Sequence, residues 1–373
     1  MHPLLENINL FDISSLTEEN VKDILTEARV LPEKTSTPMC PICGNETSAN
    51  RDSSRKLGWM WICKEKYQFK CSGKDNPTSN PFFENVRIHI LDVFVLIVCF
   101  VIKLQISLVL DQLNMFRKRR GQQEMSWATI VDFYARLREV TEIIGSHHDK
   151  LLGGPGKTIL LDETFLTKRK YNKGRKTKTM TQVVLGIYCR DDKEGLFWLM
   201  GEKKKDLWPR IARHCNPETS VICTDSATQY HNVNKLFNDA LHKTTNHKKG
   251  EFVNKTDKLN TINPLENENR HFKKSIINRK SEKSIRQYMA LHFYRRTRLN
   301  TLKSLNAKVQ MFLEDISWVF PGYGKEGLQL RKIEVPTVES EGISDMMPKT
   351  FNKNLLNGSQ PSSNPDIHHY VEF

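Results

Sequence analysis

Apolar and polar positions alternate along this chain in patterns that change period several times, and the changes mark its elements. Thr17 to Arg29 reads as a short helix, with Thr17 at its N-terminus and Pro32 beyond its end. From Ile88 to Leu110 the chain is almost continuously apolar. Asp92, Lys103 and Gln105 interrupt this run, leaving ten uncharged residues from Val93 to Ile102. A membrane span needs about 20. The expectation is therefore a buried helix and no membrane partner. From Ser126, a natural N-cap, the residues Trp127, Ile130, Val131, Tyr134, Leu137, Thr141 and Ile144 follow the helical period and predict an amphipathic helix.

Beyond Thr158 the period shortens. Ile159 to Leu161, Thr181 to Tyr188, Leu196 to Met200 and Val221 to Thr224 read as strands, with Asp191 to Gly195 as a turn and Leu207 to His214 as a helix. Leu265 to Ile277 should be a helix with Leu265, Phe272 and Ile276 on one face and Glu266, Asn269, Arg270 and Lys273 on another. Ser284 to Ser304 predicts a further helix, and Phe312 to Phe320 a short closing element. The order β, β, β, α, β describes an α/β, RNase H-like core. The expected organisation is a helical lead-in over 1–37, a zinc ribbon over 38–83, a helical, helix-turn-helix-like region over 84–150, a catalytic domain over 151–322 and a mostly disordered tail over 323–373.

Composition narrows the partners. The chain has 373 residues, 38% of them hydrophobic, and a formal net charge of +14. Such an excess of Lys and Arg points to a polyanion, with nucleic acid first. Seven of the eleven residues from 168 to 178 are basic, namely Lys168, Arg169, Lys170, Lys173, Arg175, Lys176 and Lys178, and none is acidic. Placed between two strands, they predict a hairpin tip that grips a phosphate backbone. Arg117 to Arg120 is either a second phosphate-binding or nuclear import cluster or a solvated face. The helix from Trp127 would offer Thr129, Asp132 and Arg136 to a major groove, or else belong to a structural helix hairpin. Gly153-Gly-Pro-Gly-Lys157 leads into a strand, the reverse of a phosphate loop, and is read as a linker.

Two clusters carry candidate chemistry. Cys40-Pro-Ile-Cys43-Gly is a thiolate knuckle, and Cys63 with Cys71 would complete a tetrahedral Zn²⁺ site, the alternative being buried free thiols. The remaining isolated cysteines suit a reducing compartment, nucleus or cytosol, and the polar, acidic start shows no signal peptide. Asp162 ends one apolar strand, Asp225 ends another, and Glu266 opens the late helix. Three carboxylates so placed would hold Mg²⁺ or Mn²⁺ for phosphoryl transfer, Asp162 bridging two ions while Asp225 and Glu266 hold one each. Each also has a plain alternative: Asp162 in a turn, Asp225 as an N-cap before Ser226, Glu266 in a capping box with Asn263.

The chain resembles the Merlin superfamily of cut-and-paste DNA transposases and their bacterial insertion-sequence relatives. The resemblance runs through Cys40-Pro-Ile-Cys43-Gly, Trp61-Ile-Cys63, Pro81-Phe-Phe83, Phe133-Tyr-Ala-Arg136-Leu-Arg138, Leu161-Asp-Glu-Thr-Phe165, Gln182-Val-Val-Leu-Gly186, Thr224-Asp225 with Tyr230, Leu265-Glu266-Asn267 and Arg270-His-Phe-Lys273-Lys274. It implies that Asp162, Asp225 and Glu266 are the catalytic and metal-binding triad of a polynucleotidyl transferase. Water hydrolyses the phosphodiester at an element end, and the freed 3′-OH attacks target DNA. It also implies zinc-ribbon and helical recognition of terminal inverted repeats, double-stranded DNA as partner, Arg270, Lys273 and Lys274 beside the strand, a homo-oligomer and action in the nucleus. Ser226-Ala227 stands where the family has Gly-Trp, Asn269 where it has Trp, and Asn263-Pro264 where it has Asn-Thr. These departures make Glu268 the fallback for the third acid. They also define the alternative, a catalytically inactive, host-recruited or decayed DNA-binding protein.

Overall fold

The computed structural model describes residues 2–6, 9, 12–78, 82–83, 86–146, 151–166, 183–200, 207–245, 261–276 and 281–320. They divide into two compact units, one from residues up to 144 together with those from 298 on, the other from 145–297. The basic tip at 168–178 and the tail from 323 lie outside the described residues.

The first unit contains α1 (Pro3–Glu6), α2 (Glu18–Glu27), a three-stranded sheet of β1 (Thr47–Arg51), β2 (Trp59–Cys63) and β3 (Lys74–Asp75), and then α3 (Ile90–Val101), α4 (Ile106–Arg119) and α5 (Trp127–Ser146). Thr17 caps α2, its hydroxyl accepting the Asn20 N–H while the Asn20 side chain returns to the Thr17 N–H. The long apolar run is two helices. The chain breaks at Lys103, whose φ of 63° no α-helix accommodates. α3 is buried on nearly all sides, as a helix apolar all round must be. Among the described residues no helix is long and apolar enough to cross a membrane.

Asp92 explains the cluster at 117–120. Its side chain is fully buried and paired with both Arg117 and Arg120, so two of the cations expected to meet phosphate or solvent instead neutralise an acid on α3. Removing one partner of a buried pair strands the others. Asp92→Ala should lower stability by about 3 kcal/mol in chemical denaturation, far more than an exposed Asp→Ala change.

α5 begins as expected, the Thr129 N–H bonding the Ser126 hydroxyl at 3.2 Å. Its core side carries Ile130, Phe133, Tyr134, Leu137 and Val140, whereas Trp127 is half exposed. Of the residues expected to meet a groove, Thr129 also shares a hydroxyl contact with Ser126, and Arg136 donates to the Phe82 carbonyl at 2.7 Å.

The second unit is built on β4 (Thr158–Phe165), β5 (Val183–Cys189), β6 (Glu194–Met200), α6 (Leu207–His214), β7 (Val221–Asp225), β8 (Leu241–Thr245), α7 (Asn263–Ile276) and α8 (Glu282–Tyr294). The strands lie in the order β6, β5, β4, β7, β8. β5 runs antiparallel to β4 and β6, while β4, β7 and β8 run parallel. Leu160, Val184, Phe197 and Cys223 pack with Leu265 and Phe272 of α7 on one face, and Ile159, Leu161, Leu185 and Ile222 with Leu207 and Ile211 of α6 on the other. The 153–157 segment is an ordered lead-in: Leu152 pairs with Cys215, and the Gly154 N–H donates to the Thr219 hydroxyl at 3.2 Å.

The chain after Ser281 departs from expectation. The helix expected to run from 284 to 304 ends at Tyr294 and passes through a wide π-turn, Arg295–Leu299. The closing element is a 15-residue helix, α9 (Leu305–Val319), capped by Ser304, and it belongs to the first unit although the sequence grouped it with the catalytic domain. Arg298, expected on the earlier helix, pairs with Asp315 of α9 at 2.6 Å.

Candidate active site and metal centre

Strand alternation places the acids. Successive side chains on a strand point to opposite faces, so Asp162 shares the face of Leu160, and Asp225 that of Cys223. Both faces are the one covered by α7. β4 and β7 are parallel and paired Leu160 to Cys223 and Leu161 to Thr224, so one more step along each strand brings Asp162 and Asp225 side by side. Glu266 enters from above in the first turn of α7.

The electrostatics record this meeting. Burial, and then the nearby carboxylates of Asp225 and Glu266, push the Asp162 carboxyl up to about 7. Tyr230, buried beneath, is raised well above the usual phenol by burial and by Glu163, Asp162 and Asp225. Asp225 also accepts the Ala227 N–H at 3.0 Å in a local turn; the 3₁₀ turn that follows has Ala227 as its N-cap, not Asp225. Among the described residues only the four cysteines bring three or more ligand atoms within 4.8 Å of one another. Asp162, Asp225 and Glu266 do not form such a close cluster in this structure.

Two residues that set this geometry were not singled out as site residues in the sequence. The Asn269 amide donates to Asp162 Oδ2 at 2.9 Å, and Asn269 is buried where the sequence placed it with the cationic side of the helix. Gly186, opposite Asp162 across β4 and β5, lets α7 approach: a Cβ there would stand 2.8 Å from Leu265 Cδ1 and 3.4 Å from Asn269 Oδ1. The available signal was a glycine inside an otherwise apolar strand. Gly186→Ala should lift α7, costing about 1–2 kcal/mol in unfolding experiments.

Glu268 has a different environment. It is buried, bonded by Arg296 at 2.7 Å with His292 at 3.8 Å, and it is not among the leading influences on Asp162. Arg270 and Lys274 are exposed on α7, and Lys273 is half-buried.

The raised Asp162 has a thermodynamic sign. A carboxyl with a folded pKa near 7 and an ordinary value of 3.8 binds its proton more tightly folded than unfolded. Its contribution is harmless below pH 4, grows destabilising between 4 and 7, and is fully felt above 7. Without added magnesium, Asp162→Asn should therefore melt like the parent near pH 4 and be more stable at pH 8, by about 2–4 kcal/mol.

The second centre is the cysteine cluster. The Cys43 and Ile42 N–H groups draw the Cys40 thiol down to about 6, while burial pushes Cys63 up to about 12. Cys40 and Cys71 sulfurs are 3.6 Å apart and those of Cys43 and Cys63 are 3.4 Å apart. Disulfides need about 2.05 Å. The edges of a tetrahedron with Zn–S bonds of about 2.3 Å measure about 3.8 Å, so the set fits zinc. Gly73 keeps that space open, because a Cβ there would stand 2.0 Å from the Cys40 sulfur.

The second unit is thus a mixed α/β sheet carrying a cluster of acids at the ends of two adjacent parallel strands. Residues 150–297, which coincide with it, match the family model of the ISXO2-like transposase domain. The match supports a DDE-type transposase family and a transposase-like function, with DNA as partner and a divalent metal implied. No curated protein and no solved structure shows a significant match.

Proposed function

We propose that the chain is a DNA transposase-like polynucleotidyl transferase of the Merlin superfamily, acting in the nucleus as a homo-oligomer on the terminal inverted repeats of its element and on target DNA. One observation carries the proposal: Asp162 is half-buried within electrostatic reach of both Asp225 and Glu266, a cost with no packing return unless a cation relieves it. An RNase H-like core is supported by the strand order β6, β5, β4, β7, β8 with β5 antiparallel to its neighbours.

Asp162, Asp225 and Glu266 would hold Mg²⁺ or Mn²⁺. Bound there, the ions would activate the attacking oxygen and stabilise the leaving one. Asn269 fixes the rotamer of Asp162. Glu266 is favoured over Glu268 as third acid because Glu266 is one of the charges that raise Asp162, while Glu268 pairs with Arg296. Arg270, Lys273 and Lys274, with the basic tip at 168–178, would hold the strand beside the acids.

The test is incubation of the intact zinc-loaded chain with duplex DNA bearing paired ends of its own element, with and without Mg²⁺. Metal-dependent cleavage at the ends, leaving a 3′-OH, is expected. Binding without cleavage in either Mg²⁺ or Mn²⁺ would favour the alternative of an inactive DNA-binding protein.

A further inference from the structure

The ribbon presents a surface that the catalytic proposal leaves unused. Between its third and fourth cysteines the chain forms a short loop whose two aromatic rings point into solvent, Tyr67 at 87% and Phe69 at 76% exposure. No other large apolar side chain among those described is as exposed. The loop is not slack. It starts with a 3₁₀ turn, Lys64–Lys66, and the Glu65 carbonyl accepts N–H groups from both Phe69, at 3.0 Å, and Cys71, at 3.4 Å. Lys70 takes a φ of 51° to let the chain return to the cysteine cluster.

Cations interleave the rings. Lys66, Lys70 and Lys74 lie on or beside the loop, while Lys64 pairs with Glu46, and the Lys66 ammonium sits 5.5 Å from the Tyr67 ring centroid. The one acid between them, Glu65, buries a carboxylate oxygen. Two rings held out on an ordered, lysine-rich loop have the composition of a base-stacking platform: the rings take the faces of unpaired bases and the ammonium groups follow the phosphates. A duplex offers phosphates to the lysines and nothing to the rings, because its bases are already stacked.

We propose that the ribbon tip, Tyr67 and Phe69 with the flanking lysines, binds single-stranded DNA by stacking on unpaired bases. The proposal rests on the transposase reading only for the choice of DNA, and its measurement involves no cleavage.

The experiment is fluorescence anisotropy of a labelled oligo(dT) and of a labelled hairpin duplex, titrated with the full zinc-loaded chain at fixed salt. Replacing Tyr67 and Phe69 together by Ala should weaken oligo(dT) binding about tenfold or more per ring. Duplex affinity should stay within about twofold, since the phosphate contacts remain. Zinc content is measured in parallel to confirm that the ribbon stays folded. A second variant, Tyr67→Trp, reads stacking without removing a ring: its added emission should be quenched by oligo(dT) and unaffected by the hairpin. Unchanged oligo(dT) affinity in the double variant, or an equal loss on the duplex, would overturn the proposal. So would conversion of an oligomer to monomer in sedimentation, which would place a second copy of the chain on the rings. Any of these results leaves the Asp162 site unaffected.

Discussion

Asp162→Asn should reduce metal-dependent cleavage at an element end by at least about a thousandfold while leaving duplex affinity within about twofold of the parent. The asymmetry follows from placement. Asp162 is the residue on which the other two acids converge, through the β4–β7 register on one side and the first turn of α7 on the other. Asparagine preserves the volume and can still accept from the Asn269 amide, so the sheet and α7 have no reason to move. What it loses is the negative charge that holds a divalent ion. Asn269→Ala should act in the same direction more weakly, because it frees the rotamer of Asp162 and leaves its charge. A variant that lost binding and cleavage together would make Asp162 a folding residue.

Serine at Cys63 should release zinc and unfold the ribbon. Bound zinc in such small units is worth about 10–16 kcal/mol of folding free energy, more than three short strands with one buried face hold on their own. Cys63 is buried at the end of β2, and its loss would leave three sulfurs where four-coordinate zinc needs four. Hydrogen exchange should show β1 and β2 losing protection while β4 and β5 keep theirs. Metal analysis should give one zinc per parent chain and none in the variant. A ribbon that kept its protection without metal would show that its Trp59 and Trp61 core suffices.

Both centres were partly legible in the sequence, for different reasons. Cys40-x2-Cys43-Gly announced itself because a knuckle is a local structure. Cys63 and Cys71 are spaced loosely, and only the pairing of β1 with β2 and β2 with β3 brings all four sulfurs together. Asp162 and Asp225 were visible as charges at the ends of apolar strands, where packing offers no explanation. Asn269 and Gly186 were hidden as site residues because their roles depend on the distance between α7 and the sheet, which no periodicity encodes. Glu268 and Glu266 look alike in the sequence, and only the structure shows Glu268 paired with Arg296 and Glu266 raising Asp162.

The misreadings share a cause. The apolar run from Ile88 to Leu110 and the basic stretch after Ser284 each read as one helix in the sequence, because composition continues across a break that lies in the backbone: Lys103 in the left-handed region, and the π-turn ahead of Ser304. The arginines at 117 and 120 looked free because their acid, Asp92, is distant in sequence and had been counted only as an interruption of an apolar helix.

The most direct test of the central claim is binding of Mn²⁺ to the zinc-loaded chain on its element-end DNA, followed by electron paramagnetic resonance, in the parent and in Asp162→Asn. The parent should bind manganese in a state coupled to the DNA, and the variant should lose it while still holding the duplex. Manganese bound equally by both, or by neither, would contradict the assignment of Asp162, Asp225 and Glu266 as one metal-holding site.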